Sequence, residues 1–165
     1  MSSIIKVDAI QKADGTTPTA GDLGLNTTGN ILQVVQATTA ASYGSTTSTS
    51  FTEVSSDLRC TITPKFANSQ LLVMFHSMMY KNGGSNPWGV ATLYRDGSDI
   101  FGGSYSPGYT QAVGANSGHI HTGKKLVSAN NTNPTTFSIY VRAGSGYTMH
   151  LESSDRHVIV MEIAG

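Results

Sequence analysis

The sequence has little charge, a single cysteine and no long apolar run. Only 12% of its 165 residues are charged, ten basic and ten acidic, for a formal net charge of +0. That is about half the usual share for a soluble domain, and it gives no electrostatic drive toward nucleic acid or an anionic membrane. The cations are scattered, with Lys124-Lys125 the only adjacent pair, so no nucleic-acid partner is expected. The lone Cys60 excludes an intrachain disulfide. It stands in Leu58-Arg59-Cys60-Thr61-Ile62, a strand-like run in which a small buried thiol is expected. The longest apolar run, Leu71 to Phe75, is far too short to cross a bilayer, and the first residues lack the basic-then-apolar pattern of a secretion signal. Synthesis in a cytoplasm without membrane insertion is expected.

Helical periodicity is missing too. No window longer than about ten residues spaces apolar side chains at i, i+3, i+4 and i+7 among helix-favouring neighbours. What the chain has instead is Ser and Thr, together about a quarter of it, and 18 glycines. Threonine and tyrosine suit half-buried pleated surfaces, and glycine suits tight turns. The expected class is all-β.

Strand signals recur from residue 31 onward: ILQVVQ (31–36), SFTEV (50–54), LRCTITP (58–64), QLLVMFHSMMY (70–80), WGVATLYR (88–95), HIHTGKKLV (119–127), TFSIYVR (136–142), YTMHLES (147–153) and RHVIVMEIAG (156–165). Asp96-Gly97 supplies a hairpin turn. The stretch 37–50 reads as a polar loop leading into a weak edge strand, and 102–118 as too polar and glycine-rich for a central strand. This spacing is that of a β-sandwich or jelly roll over residues 31–165, preceded by an extended arm over 1–30.

Two strands are apolar on both faces. In 70–80 both alternating sets are apolar, Leu71, Val73, Phe75 and Met79 against Leu72, Met74, Met78 and Tyr80, and 156–165 repeats the pattern. Such strands are central in a two-layer core or are covered by another subunit. We expect a homo-oligomer, with a trimer favoured because jelly rolls commonly pair flat sheet faces around a threefold axis.

The stretches IIKVDAIQKADGTTPTAGDLGLN, ILQVVQATTAAS, LRCTITPKFANSQLLVMF, VATLYRDGSDIFGG and HVIVMEIAG, in that order, resemble fibre and appendage proteins of tailed bacteriophages, marine phages of cyanobacteria in particular. The resemblance implies a non-enzymatic virion structural protein whose trimeric jelly-roll head is similar to tumour necrosis factor and complement globular heads. It implies an N-terminal arm that docks on tail, neck or capsid, with Ile4, Ile5, Val7 and Ile10 at the apolar docking positions. Long fibres carry extended shafts that a chain of this length does not match, so a short appendage or head-surface fibre is the closer likeness. The arm could add a strand to a neighbour's sheet edge. The alternative readings are that residues 1–25 stay disordered or cover an edge of their own domain.

Candidate chemistry is sparse. His119 and His121 stand at i and i+2 of a strand, on one face. Three copies around an axis could offer six imidazoles to a transition metal, and the bland alternative is two rings facing solvent. His76 interrupts an apolar strand as a core or interface histidine. His150 and His157, with Glu152, Ser153, Ser154 and Asp155, could be drawn as a hydrolase triad, but no G-x-S-x-G elbow accompanies them. Asp96-Gly97-Ser98-Asp99 lacks the glycine and glutamate of a calcium loop. No enzyme activity and no cofactor are expected. Trp88, Tyr105 and Tyr109 flank Gly-, Asn- and Ser-rich stretches and are candidate receptor contacts, since rings beside hydroxyl and amide groups suit a host-surface glycan. This leaves a carbohydrate-binding module or a capsid decoration protein as the alternative functions.

Overall fold

The computed structural model of the chain describes residues 9–19, 21–24, 28–39, 44–82, 88–102, 108–111, 117–151 and 156–165. Among these the chain forms twelve strands in two antiparallel sheets, packed as a β-sandwich, with one 3-10 turn at Ser56–Leu58 and no α-helix. The strands are β1 Ile31–Thr39, β2 Gly44–Thr46, β3 Thr52–Glu53, β4 Cys60–Ile62, β5 Gln70–Asn82 and β6 Trp88–Arg95. They continue with β7 Ser98–Asp99, β8 Gly108–Gln111, β9 Ser117–Ser128, β10 Thr135–Ala143, β11 Thr148–Leu151 and β12 Arg156–Ile163.

Several short strands lie end to end. β12 and β11 both pair with the same edge of β5, at residues 70–76 and 79–82, and β1 and β2 pair with β12 and β11 in turn. The first sheet therefore has four rows: β1/β2, β12/β11, β5 and β9. In the second sheet β3 and β4 both flank β10, while β7 and β8 both flank β6 on its far side. Its rows are β3/β4, β10, β6 and β7/β8. The predicted hairpin is present. Asp96 (φ 49°) and Gly97 (φ 82°) form a two-residue turn between the paired Arg95 and Ser98, with the positive φ at both positions that favours Asp-Gly.

The core lies between the sheets. Leu71, Val73, Phe75 and Met79 of β5 and Val158 and Val160 of β12 meet Ala91 and Leu93 of β6 and Phe137, Ile139 and Val141 of β10. Cys60 is buried there, and burial pushes its thiol up. The two polar stretches hold short edge strands. β1 runs on to Thr39 and β2 follows inside 37–50, while 102–118 contributes the edge strand β8. Both segments are polar in sequence, so apolar alternation is weak there.

Residues 9–19 and 21–24 are almost entirely exposed, Ile10 at 55% and Leu23 at 46%. Their described hydrogen bonds stay local: Lys12 N–H donates to Thr16 O at 2.8 Å, and Asp14 accepts from the Thr16 N–H and hydroxyl at 2.9 and 2.6 Å. Lys12 pairs with Asp22 at 2.7 Å. The segment joins the sandwich where Gly29 N–H donates to Ala164 O at 2.8 Å and Ala164 N–H to Asn30 O at 2.9 Å.

Candidate functional site

The two sheets turn very different surfaces outward. On the first, here face A, the even-numbered residues of β5 point away from the core, and the strand register carries that set across all four rows. One line reads Val34, Met161, Leu72, Leu126. The next reads Gln36, Ile159, Met74, Lys124, and the third Thr38, His157, His76, Thr122. Met78 opposite Ile120 extends the face. Ile31, Val34, Ile120 and Leu126 on the two outer rows are 60%, 53%, 68% and 53% exposed. No described carboxylate points outward here. Glu162, the acid on β12, belongs to the inward set and is fully buried. The second set of apolar residues in β5 and β12 is thus one continuous surface.

At the middle of face A the imidazoles of His76 and His157 stack across neighbouring strands, ring centroids 5.3 Å apart and planes 13° from parallel. An open groove of about 540 Å³ crosses the face beside them, bounded by Met74, Thr122, Gly123 and Lys124.

The outward side of the second sheet, face B, is aromatic and polar. Tyr94 and Tyr140 stack at 3.8 Å, Phe51 lies 6.1 Å from Tyr94, and the Arg142 guanidinium sits 5.1 Å above Phe51 and 5.4 Å above Trp88. Burial, and then the nearby Asp99, push the Tyr94 phenol up. Arg59 grips Glu53 through two hydrogen bonds of 2.8 and 2.6 Å, which raises the guanidinium's proton affinity. Beside them Glu53, Arg59, Asp96, Gly97, Thr136, Ser138 and Tyr140 line a groove of about 250 Å³.

Of the sequence-predicted contacts, Trp88 lies on face B, half-buried against Gly144, where a Cβ would come within 2.5 Å of the indole nitrogen. Tyr109 stands on β8 opposite Val90, its side chain outside the described residues, as is all of Tyr105. Among the docking positions Ile4, Ile5 and Val7 lie outside the described residues, and Ile10 is exposed. His119 and His121 share the set of β9 opposite Met79 and Ser77, where His121 is buried and His119 is exposed. They are therefore not on face A, and the histidines brought together there are His76 and His157. Among the described residues no three His, Cys, Asp or Glu gather as metal ligands. His150 packs near Tyr80 at 6.1 Å, on the far side of residues 152–155 from His157, and those four residues lie outside the description.

Sequence reasoning did not single out Tyr94, Tyr140, Phe51 or Arg142. The available signal was the outward set of 136–142, Ser138, Tyr140 and Arg142, in which large aromatic and cationic residues replace small polar ones. The His76–His157 pairing left no local trace, since 81 positions of chain separate its members. No family model and no curated protein matches this chain.

Proposed function

We propose that this chain is a short virion appendage of a tailed bacteriophage: a homotrimeric jelly-roll head carried on an N-terminal arm that docks on tail, neck or capsid. The observation that carries the proposal is face A. The line Val34, Met161, Leu72 and Leu126 is apolar across all four rows, Ile159, Met74, Met78 and Ile120 adjoin it, and a contiguous patch of this kind marks an association site. Strand order supports the jelly-roll reading. With each end-to-end pair counted as one strand, the chain has eight, and the sheets run 1-8-3-6 and 2-7-4-5, the arrangement of two interlocked Greek keys. The ordered resemblance to phage appendage sequences and the exposed, locally bonded residues 9–19 and 21–24 support the arm.

The test is the mass of the full chain at micromolar concentration, read alongside particle incorporation. A trimer is expected. Deleting residues 2–24 should leave the number of copies per assembly and the fold unchanged while removing the protein from virions. A folded monomer overturns the assembly, and normal incorporation after the deletion overturns the arm.

Face B favours a second reading, a lectin-like head for host adsorption. Its stacked rings sit beside hydroxyls that donate or accept and a paired carboxylate that accepts, the polar groups that sugar recognition uses. The two readings are compatible, because they use opposite faces of the sandwich.

A further inference from the structure

We infer that the groove on face B takes an uncharged sugar and turns acidic sugars away. The inference rests on the lectin-like reading above and adds the class of glycan. The groove lies where the outer row of the second sheet is interrupted. Among the described residues β4 pairs with Thr135, Thr136 and Phe137 of β10 and β3 with Tyr140 and Val141, so Ser138 and Ile139 have a ladder partner only in β6. Between the two short strands the chain makes the 3-10 turn Ser56–Leu58, and Ser138 lines the groove beside that break. Thr136, Ser138 and Tyr140 share one face of β10, about 13 Å from first to last at roughly 3.3 Å per residue. The Glu53–Arg59 pair stands on the β3/β4 side and the Asp96-Gly97 turn on the β6 side.

The rim is rich in fixed acceptors. Asp96 Oδ1 accepts the Thr136 N–H at 2.8 Å, and its Oδ2 accepts the Thr135 hydroxyl at 2.6 Å. Both oxygens of Glu53 accept from Arg59, at 2.8 and 2.6 Å. A carboxylate oxygen has two lone pairs, so each acid is held in place and can still accept. The Thr136 hydroxyl shares a hydrogen bond of 2.8 Å with Thr61, and the Ser138 hydroxyl adds a group that donates or accepts. A sugar hydroxyl is the complement of this set. It donates to the carboxylates and exchanges hydrogen bonds with the hydroxyls, while Tyr140 offers its ring to the C–H face of the pyranose.

An ionised carboxylate, phosphate or sulfate on a sugar only accepts. In this groove it meets two like charges, Glu53 and Asp96. Arg59 is the cation among the described lining residues, and its Nε and one Nη are committed to Glu53. That fork is the edge with which a guanidinium grips an anion. An acidic sugar must therefore pull Arg59 away from Glu53 or lie beside both negative charges, and juxtaposed like charges reject wrong partners. A neutral ring meets neither obstacle.

The experiment immobilises matched probes, oligomers of glucose, galactose and mannose beside oligomers of their uronic acids, and titrates the intact chain over them at pH 7. Saturable binding to a neutral probe at least about tenfold tighter than to its acidic counterpart is expected. Glu53→Gln removes one negative charge and frees the Arg59 fork, so it should tighten binding of the acidic probe and bring the preference within a few-fold. Asp96→Asn removes the other charge and keeps a residue that tolerates the turn's φ of 49°, so it should shrink the preference too. Circular dichroism confirms the fold of each variant. A wild type that holds acidic and neutral probes equally tightly overturns the inference and leaves glycan binding standing, as does a preference unmoved in the folded variants. Silence on every probe, neutral and acidic, overturns the lectin-like reading itself.

Discussion

Glu162 is fully buried at the end of β12, where an acid would ordinarily be costly. Burial pushes its carboxyl up, but hydrogen bonds outweigh that and hold it below its ordinary value of 4.5. The Gln33 amide donates at 2.6 Å, and the Lys65 and Phe66 backbone N–H groups donate at 2.8 and 3.2 Å. The carboxylate thereby ties β1 and the 65–66 turn to a central strand. A depressed folded value means the contribution is complete above about pH 4.5 and is lost as pH falls through the folded value. Glu162→Gln keeps the shape but gives up charge-assisted bonds, so it should cost about 1–3 kcal/mol at neutral pH. Urea denaturation at pH 7 and pH 3.5 checks this. The gap between variant and wild type should narrow at the lower pH, and no gap at pH 7 would remove the role assigned here.

At the scale of elements, the sandwich depends on close passage between its sheets. Gly44 opens β2, and a Cβ there would lie 2.1 Å from the Val54 carbonyl oxygen, just beyond β3 of the other sheet. Backbone cannot step aside as a flexible side chain can. Gly97 differs: a Cβ would meet open space, but its φ of 82° strains any other residue. Gly97→Ala should cost about 1 kcal/mol, and Gly44→Ala about 2–3 kcal/mol, because β2 must move off its partner β11. In a chain of this size thermal melting should separate them by several degrees. Equal melting points would contradict the collision. The Asp-Gly hairpin was legible in sequence because it is local, as were β5, β6, β10 and β12, whose alternation is strong. Which strands pair was not. Val34 meets Met161 and Leu72 meets Leu126 only through long-range closure, and β2 is three residues long, too short to leave a period. The two-sided greasiness of β5 and β12 was legible. That the two lie side by side, with their second sets on one face, came from register alone.

For the whole molecule, the chemistry of one face constrains the use of the other. If sister copies cover face A, face B is the broad sheet surface left to meet a host. Tyr140 lines its groove with Tyr94 stacked behind at 3.8 Å, so the ring is held rigidly and loses little freedom on binding. Glu53, fixed by Arg59, and the hydroxyls of Thr136 and Ser138 stand around it. A groove of about 250 Å³ suits one or two pyranose rings better than a peptide. We predict saturable binding of the intact chain on a glycan array. Tyr140→Ala should weaken it at least about tenfold, the equivalent of roughly 1.4 kcal/mol, while Tyr140→Phe stays within a few-fold because the ring remains. Unchanged mass in both variants separates a lost contact from a lost fold. An array that stays silent, or binding indifferent to Tyr140→Ala, leaves face B a scaffold surface and the head a decoration. Arg142 offers an internal comparison. It sits above Phe51 and Trp88, away from the residues that line the groove, so Arg142→Gln should loosen that cluster without changing the glycans retained.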